Sequence, residues 1–395
     1  MLNFNFHRPT DFYFGRGEEN KVGQILTKYG ATKVLVHFGS NSAKKSGLLD
    51  RVTHSLTKEG LDFTLLGGVQ PNPVDTLVYK GIELCRQEKV DFILALGGGS
   101  VLDSAKAIAH GINYNGDFWD FFEGKSTPQN SLPVGSVLTI AAAGSEGSNS
   151  CVISHMVNGI VKKKGLKTDY NIPKFAILNP ELTMTLPPFQ TACGACDIMC
   201  HVMERYFTNT KDVLLTDELC EAVLRTVKVM LPRVIKNPND YEARANIMWA
   251  GTLAHNNTCG VDREQDWASH RIEHELSALY DCAHGAGLAV VTPAWMEIVY
   301  RHDVMRFARF AVNVFGCQMD YEKPENTAYD GIQALRKLWS DAGLPLNFQE
   351  LGAKKEDIET LLNNLGDDKH TEGHFVVLNK DMIREVLKKA ANYKS

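Results

Sequence analysis

No apolar run in this 395-residue chain approaches the ~20 residues that a membrane-spanning helix needs. The opening Met1-Leu2-Asn3-Phe4-Asn5-Phe6 lacks both the basic and the apolar stretch of a secretory signal, so the expectation is a cytoplasmic protein. Charge of neither sign dominates. Basic residues number 42 and acidic residues 47, a net −5 that gives no reason to expect a nucleic-acid or anionic-membrane partner. The nine cysteines are odd in number and scattered, unlike the dense, even set of a disulfide framework. Internal repeats and low-complexity tracts are missing. So is the GxGxxG fingerprint, and with it the expectation of an ordinary Rossmann fold.

What is there is the make-up of a globular protein, 44% hydrophobic and 23% charged, long enough for two domains at ~150 residues each. Phe4 and Phe6, then Phe12 and Phe14, alternate around His7-Arg8-Pro9-Thr10, a pattern that predicts a β-hairpin. Strand-like runs at 33–38, 62–66 and 91–96 then alternate with helical stretches at 48–59, 74–87 and 100–110, the rhythm of βαβ units in a mostly parallel sheet. Beyond Leu186-Pro187-Pro188 most segments have helical length and period. Runs 288–291 and 375–378 still read as short strands. The expectation is an α/β plus all-α protein: a dinucleotide-binding α/β domain over residues 1–187 and a helical domain over 188–395.

Two loops suit a dinucleotide. Gly97-Gly98-Gly99-Ser100 joins the apolar run 91–96 to a helix, and helix N-termini attract phosphate through free N–H groups and the dipole. Ser100 is placed to cap that helix, with Asp103 three residues on. After the run 33–38 comes Gly39-Ser40-Asn41-Ser42, then Lys44-Lys45. A carboxylate in such a loop bonds the 2′-hydroxyl of NAD, whereas NADP needs donors and space. The loop has no acid, so Ser40 and Ser42 point to NADP(H) over NAD(H).

Five potential metal ligands lie in three short segments. Asp197 and His201 are four apart, which puts them on one helix face. His270 and His274 repeat the interval, and His284 follows after ten. Imidazole with carboxylate suits Fe2+ or Zn2+. Cys193, Cys196 and Cys200 fall at helical spacing and read as buried core, since a fourth nearby thiol is missing. The remaining histidines show no such grouping.

Taken with Phe14-Gly15-Arg16-Gly17, Pro71-Asn72-Pro73, Leu138-Thr139-Ile140 and Gly144-Ser145-Glu146, these motifs resemble the iron-containing (group III) alcohol dehydrogenase family over nearly the whole chain. The nearest likeness is to its butanol dehydrogenase-like, NAD(P)H-dependent aldehyde reductase branch. The resemblance implies a dehydroquinate synthase-like architecture and hydride transfer between a nicotinamide and a primary alcohol or aldehyde. It implies homodimers joined by N-terminal strands. It assigns one divalent metal to Asp197, His201, His270 and His284, and a place beside the substrate to His274. Asn72, Gly98, Gly99, Ser100, Asp103, Thr139 and Lys163 then become cofactor contacts. Asn149 in Gly147-Ser148-Asn149-Ser150 is displaced from the position where relatives carry an asparagine. Two other functions suit the same architecture: a lyase like dehydroquinate synthase, which would need more cationic residues near the metal, and a non-catalytic metal or nucleotide sensor, which would need no open coordination position.

Overall fold

The computed structural model describes residues 1–157 and 160–394. Two compact units result, His7–Thr185 and Leu186–Ser395, the second joined by Met1–Phe6.

The first unit is built on eight strands: β1 (Asp11–Phe14), β2 (Lys33–Gly39), β3 (Asp62–Val69), β4 (Phe92–Gly97), β5 (Val134–Leu138), β6 (Ser150–Val157), β7 (Ile160–Lys167) and β8 (Phe175–Leu178). Six form a wholly parallel sheet in the order β1-β8-β5-β4-β2-β3, while β6 and β7 pair as a separate antiparallel ribbon. Every residue of β4, β5 and β8 is buried, as expected of central parallel strands covered on both faces. Phe92 and Phe175 stack across the core at 5.9 Å between ring centroids. The chain runs outward from β2 to β3, then crosses back to β4 and on to β5. The order therefore reverses between neighbours β2 and β4, and a crevice opens beyond the carboxyl ends of strands at such a reversal.

The N-terminal hairpin does not form. Residues 1–10 contain no strand, and β1 pairs with β8 in parallel, Asp11 opposite Phe175. Long-range pairing with a buried strand wins over a local hairpin, which alone is marginal in water. Met1–Phe6 lies instead on the helical unit, where the Met1 amino group donates to the Lys211 carbonyl (2.8 Å) and the Leu2 N–H to that of Asp262 (2.7 Å).

In the helical unit, helix Pro188–Tyr206 is buried at every residue from Thr191 to Tyr206, the signature of a central helix. Leu214–Lys236, Tyr241–His255, Ala268–Tyr280, His284–Val299, Pro324–Asp341 and Lys380–Asn392 are the other long helices. Run 288–291 belongs to His284–Val299. An apolar segment buried on all sides has no period to separate strand from helix, and here length decides for the helix. Run 375–378 contributes only an isolated bridge, Glu372 to Leu378. None of the described helices is long and apolar enough to cross a membrane.

One buried charge ties the ribbon to the sheet. Lys106, on helix Gly99–Gly111, donates from Nζ to the carbonyls of Ser145 (2.7 Å), Ser148 (3.2 Å) and Ser150 (2.9 Å) and to Ser145 Oγ (2.8 Å). On the same helix, Asp103 accepts from Ser145 Oγ (2.7 Å) and the Val152 N–H (3.0 Å). Burial lowers the Lys106 ammonium and Asp103 opposes that shift. Lys106→Met is expected to cost about 3 kcal/mol by leaving carbonyls and a carboxylate uncompensated in the interior. Urea unfolding of the variant checks this; a loss below about 1 kcal/mol would contradict it.

Candidate metal centre and nucleotide crevice

A helix buried all round can carry polar side chains only if each finds a partner. Pro188–Tyr206 carries Asp197, His201 and Glu204, exposed by 4%, 4% and 1%. Three imidazoles direct Nε2 at one oxygen, Asp197 Oδ1. His201 on the same helix lies at 3.3 Å, His270 on Ala268–Tyr280 at 3.6 Å, and His284 at the start of His284–Val299 at 3.7 Å. Asp197 Oδ1 is buried and makes no hydrogen bond among the described residues, and the same holds for His270 Nε2. Ligands at about 2.1 Å in tetrahedral array stand about 3.4 Å apart, so this spacing fits four atoms sharing one cation. An orphaned carboxylate oxygen facing three imidazole nitrogens suits a divalent metal and nothing apolar.

Close approach of the third helix is secured by small residues. A Cβ at Gly285 would lie 2.1 Å from the Cys193 carbonyl oxygen, and one at Gly287 2.6 Å from Glu273 Oε1. The two glycines after His284 thus let its helix press against the other two. Trp267, just before Ala268–Tyr280, adopts φ 71°, a left-handed conformation costly for a bulky residue. Its ring lies 4.6 Å beneath the Arg205 guanidinium and 5.4 Å from the His270 ring.

Burial holds His201 well below the usual imidazole range, so it stays neutral. Burial acts the same way on His270, but Glu204 and then Asp197 outweigh it and push that ring up to about 10. Without a cation, His270 is therefore the ring that carries the proton between two carboxylates. His274, half-buried one turn after His270, has its ring 5.6 Å from that of His284. Glu273, His274 and His284 form a second group of potential ligands. There, however, Glu273 meets Nδ1 of His284, the nitrogen turned away from Asp197.

Sequence reasoning passed over three residues. His255, at the end of Tyr241–His255, packs its ring 4.0 Å from that of His201. Glu204 and Glu273 reach Nδ1 of His270 and His284. Spacing held a signal for the carboxylates, since each follows a candidate ligand by three residues. For His255 it held none, because only tertiary packing brings that helix near. Cys193, Cys196 and Cys200 are core residues, as their helical spacing suggests.

In the first unit, Ser40 follows β2 closely, while Gly98, Gly99 and Ser100 follow β4 at the reversal of strand order. Ser100 does not cap its helix. The helix begins at Gly99, Gly98 occupies the cap position, and no side chain caps it. A Cβ at Gly98 would meet Ile140 at 3.2 Å, so close packing also requires that glycine. Ser42 opens a short helix, Ser42–Lys45, whose Lys44 ammonium lies 5.4 Å from the Phe38 ring centroid. Thr139 follows β5, its N–H bonded to the Gly97 carbonyl at 3.0 Å. Asn72, at φ 52°, accepts from Lys163 Nζ at 3.1 Å across to the ribbon. Each Asp103 carboxylate oxygen already accepts a bond from Ser145 or Val152. The Asn149 carbonyl accepts from the Thr168 N–H and Asn171 Nδ2, which fixes that backbone on the ribbon side.

Comparison with known proteins agrees with both halves. Residues 9–180 match the family model described as iron-containing alcohol dehydrogenase, and residues 191–391 match its C-terminal domain model. The NADH-dependent butanol dehydrogenase A of Clostridium acetobutylicum is 38% identical over 99% of this chain and 100% of its own. The NADPH-dependent aldehyde reductase of Escherichia coli is 36% identical over the same shares. Among solved structures, the NADH-dependent butanol dehydrogenase A of Thermotoga maritima superposes with a TM-score of 0.95 at 41% identity, covering 99% of both chains. On these matches, which span nearly its full length, the chain belongs to the iron-containing alcohol dehydrogenase family.

Proposed function

We propose that the protein interconverts a primary, butanol-like alcohol and its aldehyde by hydride transfer with NADP(H), using one Fe2+ or Zn2+ held by Asp197, His201, His270 and His284. The observation that carries this is the convergence of three imidazole Nε2 atoms on one unbonded carboxylate oxygen, in a chain of this family. Dehydrogenases and reductases of alcohols and aldehydes head its relatives, and none of those named is a lyase.

When bound, a divalent cation supplies Lewis acidity toward an alcohol or carbonyl oxygen, and the nicotinamide carries the hydride. The chain's own residues do the rest. Three neutral imidazoles and one carboxylate leave a divalent ion with a net charge of about +1, enough to polarise an oxygen. His274 stands beside His284 without belonging to the Asp197 set. It is suited to hydrogen-bond the substrate oxygen and to hold or pass its proton. The first turn of helix Gly99–Gly111, with Gly98, Gly99 and Ser100, presents free N–H groups to a pyrophosphate. Thr139 and Asn72, which follow β5 and β3, and Lys163, which reaches Asn72 from the middle of β7, serve the rest of the cofactor, and Asp103 acts by holding the Ser145 turn. Ser40 and Ser42, with no acid between them, receive a 2′-phosphate. The family's reductases and dehydrogenases use either NADPH or NADH, so this loop is the ground for the preference.

The working form is a cytoplasmic homodimer. Support comes from nine cysteines that form no disulfide and from the apolar N-terminal segment, where Met1, Leu2 and Phe4 are exposed by 66%, 47% and 56%.

Three outcomes test the reading. His270→Ala and His284→Ala should each purify with little metal and lose nearly all turnover; elemental analysis showing full metal content in either would remove the site. His274→Ala should keep stoichiometric metal while kcat/KM falls by ~10²-fold, the low end for loss of a general acid or base. Metal-free His274→Ala alongside metal-loaded His284→Ala would mean that the two roles are exchanged. Finally, kcat/KM should be higher with NADPH than with NADH, and Ser40→Asp should cost ~10-fold or more with NADPH by setting an anion against the 2′-phosphate. A wild-type preference for NADH in steady-state assays would overturn the cofactor assignment.

A further inference from the structure

The Asp197 set uses only one nitrogen of each imidazole, and what holds the other nitrogens differs among the three rings. His270 Nδ1 meets Glu204, a residue of the neighbouring helix Pro188–Tyr206. His284 Nδ1 meets Glu273, which belongs in turn to the helix of His270. Each carboxylate thus reaches from one ligand-bearing helix to a ring on the next. Both are fixed at their other oxygen. Glu204 Oε1 accepts from the His270 N–H at 3.0 Å, and Glu273 Oε1 accepts from Ser277 Oγ. Glu204 is 1% exposed and Glu273 fully buried. His270 and Glu204 meet as an ion pair and His284 and Glu273 as a hydrogen bond, whereas His201 pairs only with Asp197, through Nε2, and its Nδ1 is buried without a hydrogen bond among the described residues.

A ring that donates Nδ1–H to a carboxylate keeps its lone pair on Nε2, is fixed in orientation, and becomes a stronger base toward a cation. In all three rings Nε2 is the nitrogen turned to Asp197 Oδ1. We infer that Glu204 and Glu273 are positioning residues that lock His270 and His284 as Nε2 donors and so set metal affinity, with His201 left as the unsupported ligand. The inference rests on the metal centre proposed above. It assigns to the two buried carboxylates a task that the ligand set alone does not require.

Glu204→Gln and Glu273→Gln keep side-chain volume but lose the anion. Each variant and the wild type would be titrated with Zn2+ against a chromophoric chelator, and the chelated, metal-free forms unfolded by heat. Affinity should fall 10- to 100-fold in each variant. In Glu204→Gln the midpoint of the metal-free form should fall, because the buried His270 ring loses an ion-pair partner, whereas in Glu273→Gln it should hold or rise, because a buried carboxylate has been removed. Ser277→Ala, which strips Glu273 of its second bond, should give a smaller loss of affinity. Wild-type affinity in both Gln variants would overturn the inference. So would a fall in the metal-free midpoint of Glu273→Gln that accompanies its loss of affinity, since that marks a merely structural role. Failure of the underlying site looks different: the wild type would then bind no Zn2+, or His270→Ala would bind it as tightly as the wild type does.

Discussion

At the centre of the helical unit a carboxylate oxygen sits in the interior without a hydrogen bond, faced by imidazole nitrogens from three helices. A buried carboxylate left alone is too costly for a stable fold, and the usual remedy is neutralisation by a proton or a cation. Here a proton can serve one ring at a time, and His270 takes it. A divalent ion would serve all four atoms together. Much of the surrounding architecture is arranged around that choice. Between Ala192 and Met203 the central helix is apolar except at Asp197 and His201. The third helix is glycine-lined at its start so that His284 can come close. Trp267 is held in a strained conformation against Arg205 and His270.

The first unit answers a different constraint. Parallel strands require crossovers, and a sheet whose order reverses between β2 and β4 leaves their carboxyl ends uncovered by the connections on either side. Both loops with phosphate-binding character fall there, after β2 and after β4. The ribbon β6–β7 is fastened to this edge from several directions. Lys106 binds three carbonyls and a hydroxyl, the Ser154 N–H donates to the Pro73 carbonyl at 2.8 Å, and Lys163 donates to Asn72. The loop after β3 is thus part of the same rigid edge, which is how a residue at φ 52° such as Asn72 is held in place.

Legibility in the sequence followed the range of the forces involved. Strands 33–38, 62–66 and 91–96 and the helices between them declared themselves through local period, and each formed within a few residues of its expected place. The Asp197–His201 and His270–His274 intervals are local too, which made the metal segments readable before any fold was known. Where tertiary pairing decides, local pattern misled. The Phe4–Phe14 alternation looks like a hairpin, yet β1 exists only because β8 lies beside it. Run 288–291 has β-branched, apolar character and becomes the middle of a helix buried on every side. Ser100 has the chemistry of a cap, but the turn begins two residues earlier on glycine.

His255 and the two glutamates separate these cases further. Glu204 and Glu273 lie three residues after His201 and His270, so the helical interval that exposed the ligands also exposed them. They were passed over because each acts on a ring carried by a different helix. An interval within one helix states which side chains share a face. It does not state which ring on the next helix that face will meet. That second relation depends on interhelical spacing, and here the spacing turns on the bare Cα atoms of Gly285 and Gly287, where a single methyl group would meet the Cys193 carbonyl or the Glu273 carboxylate. The proposed ligands can therefore be read one helix at a time, whereas the carboxylates that meet their rings become visible only when all three helices are packed.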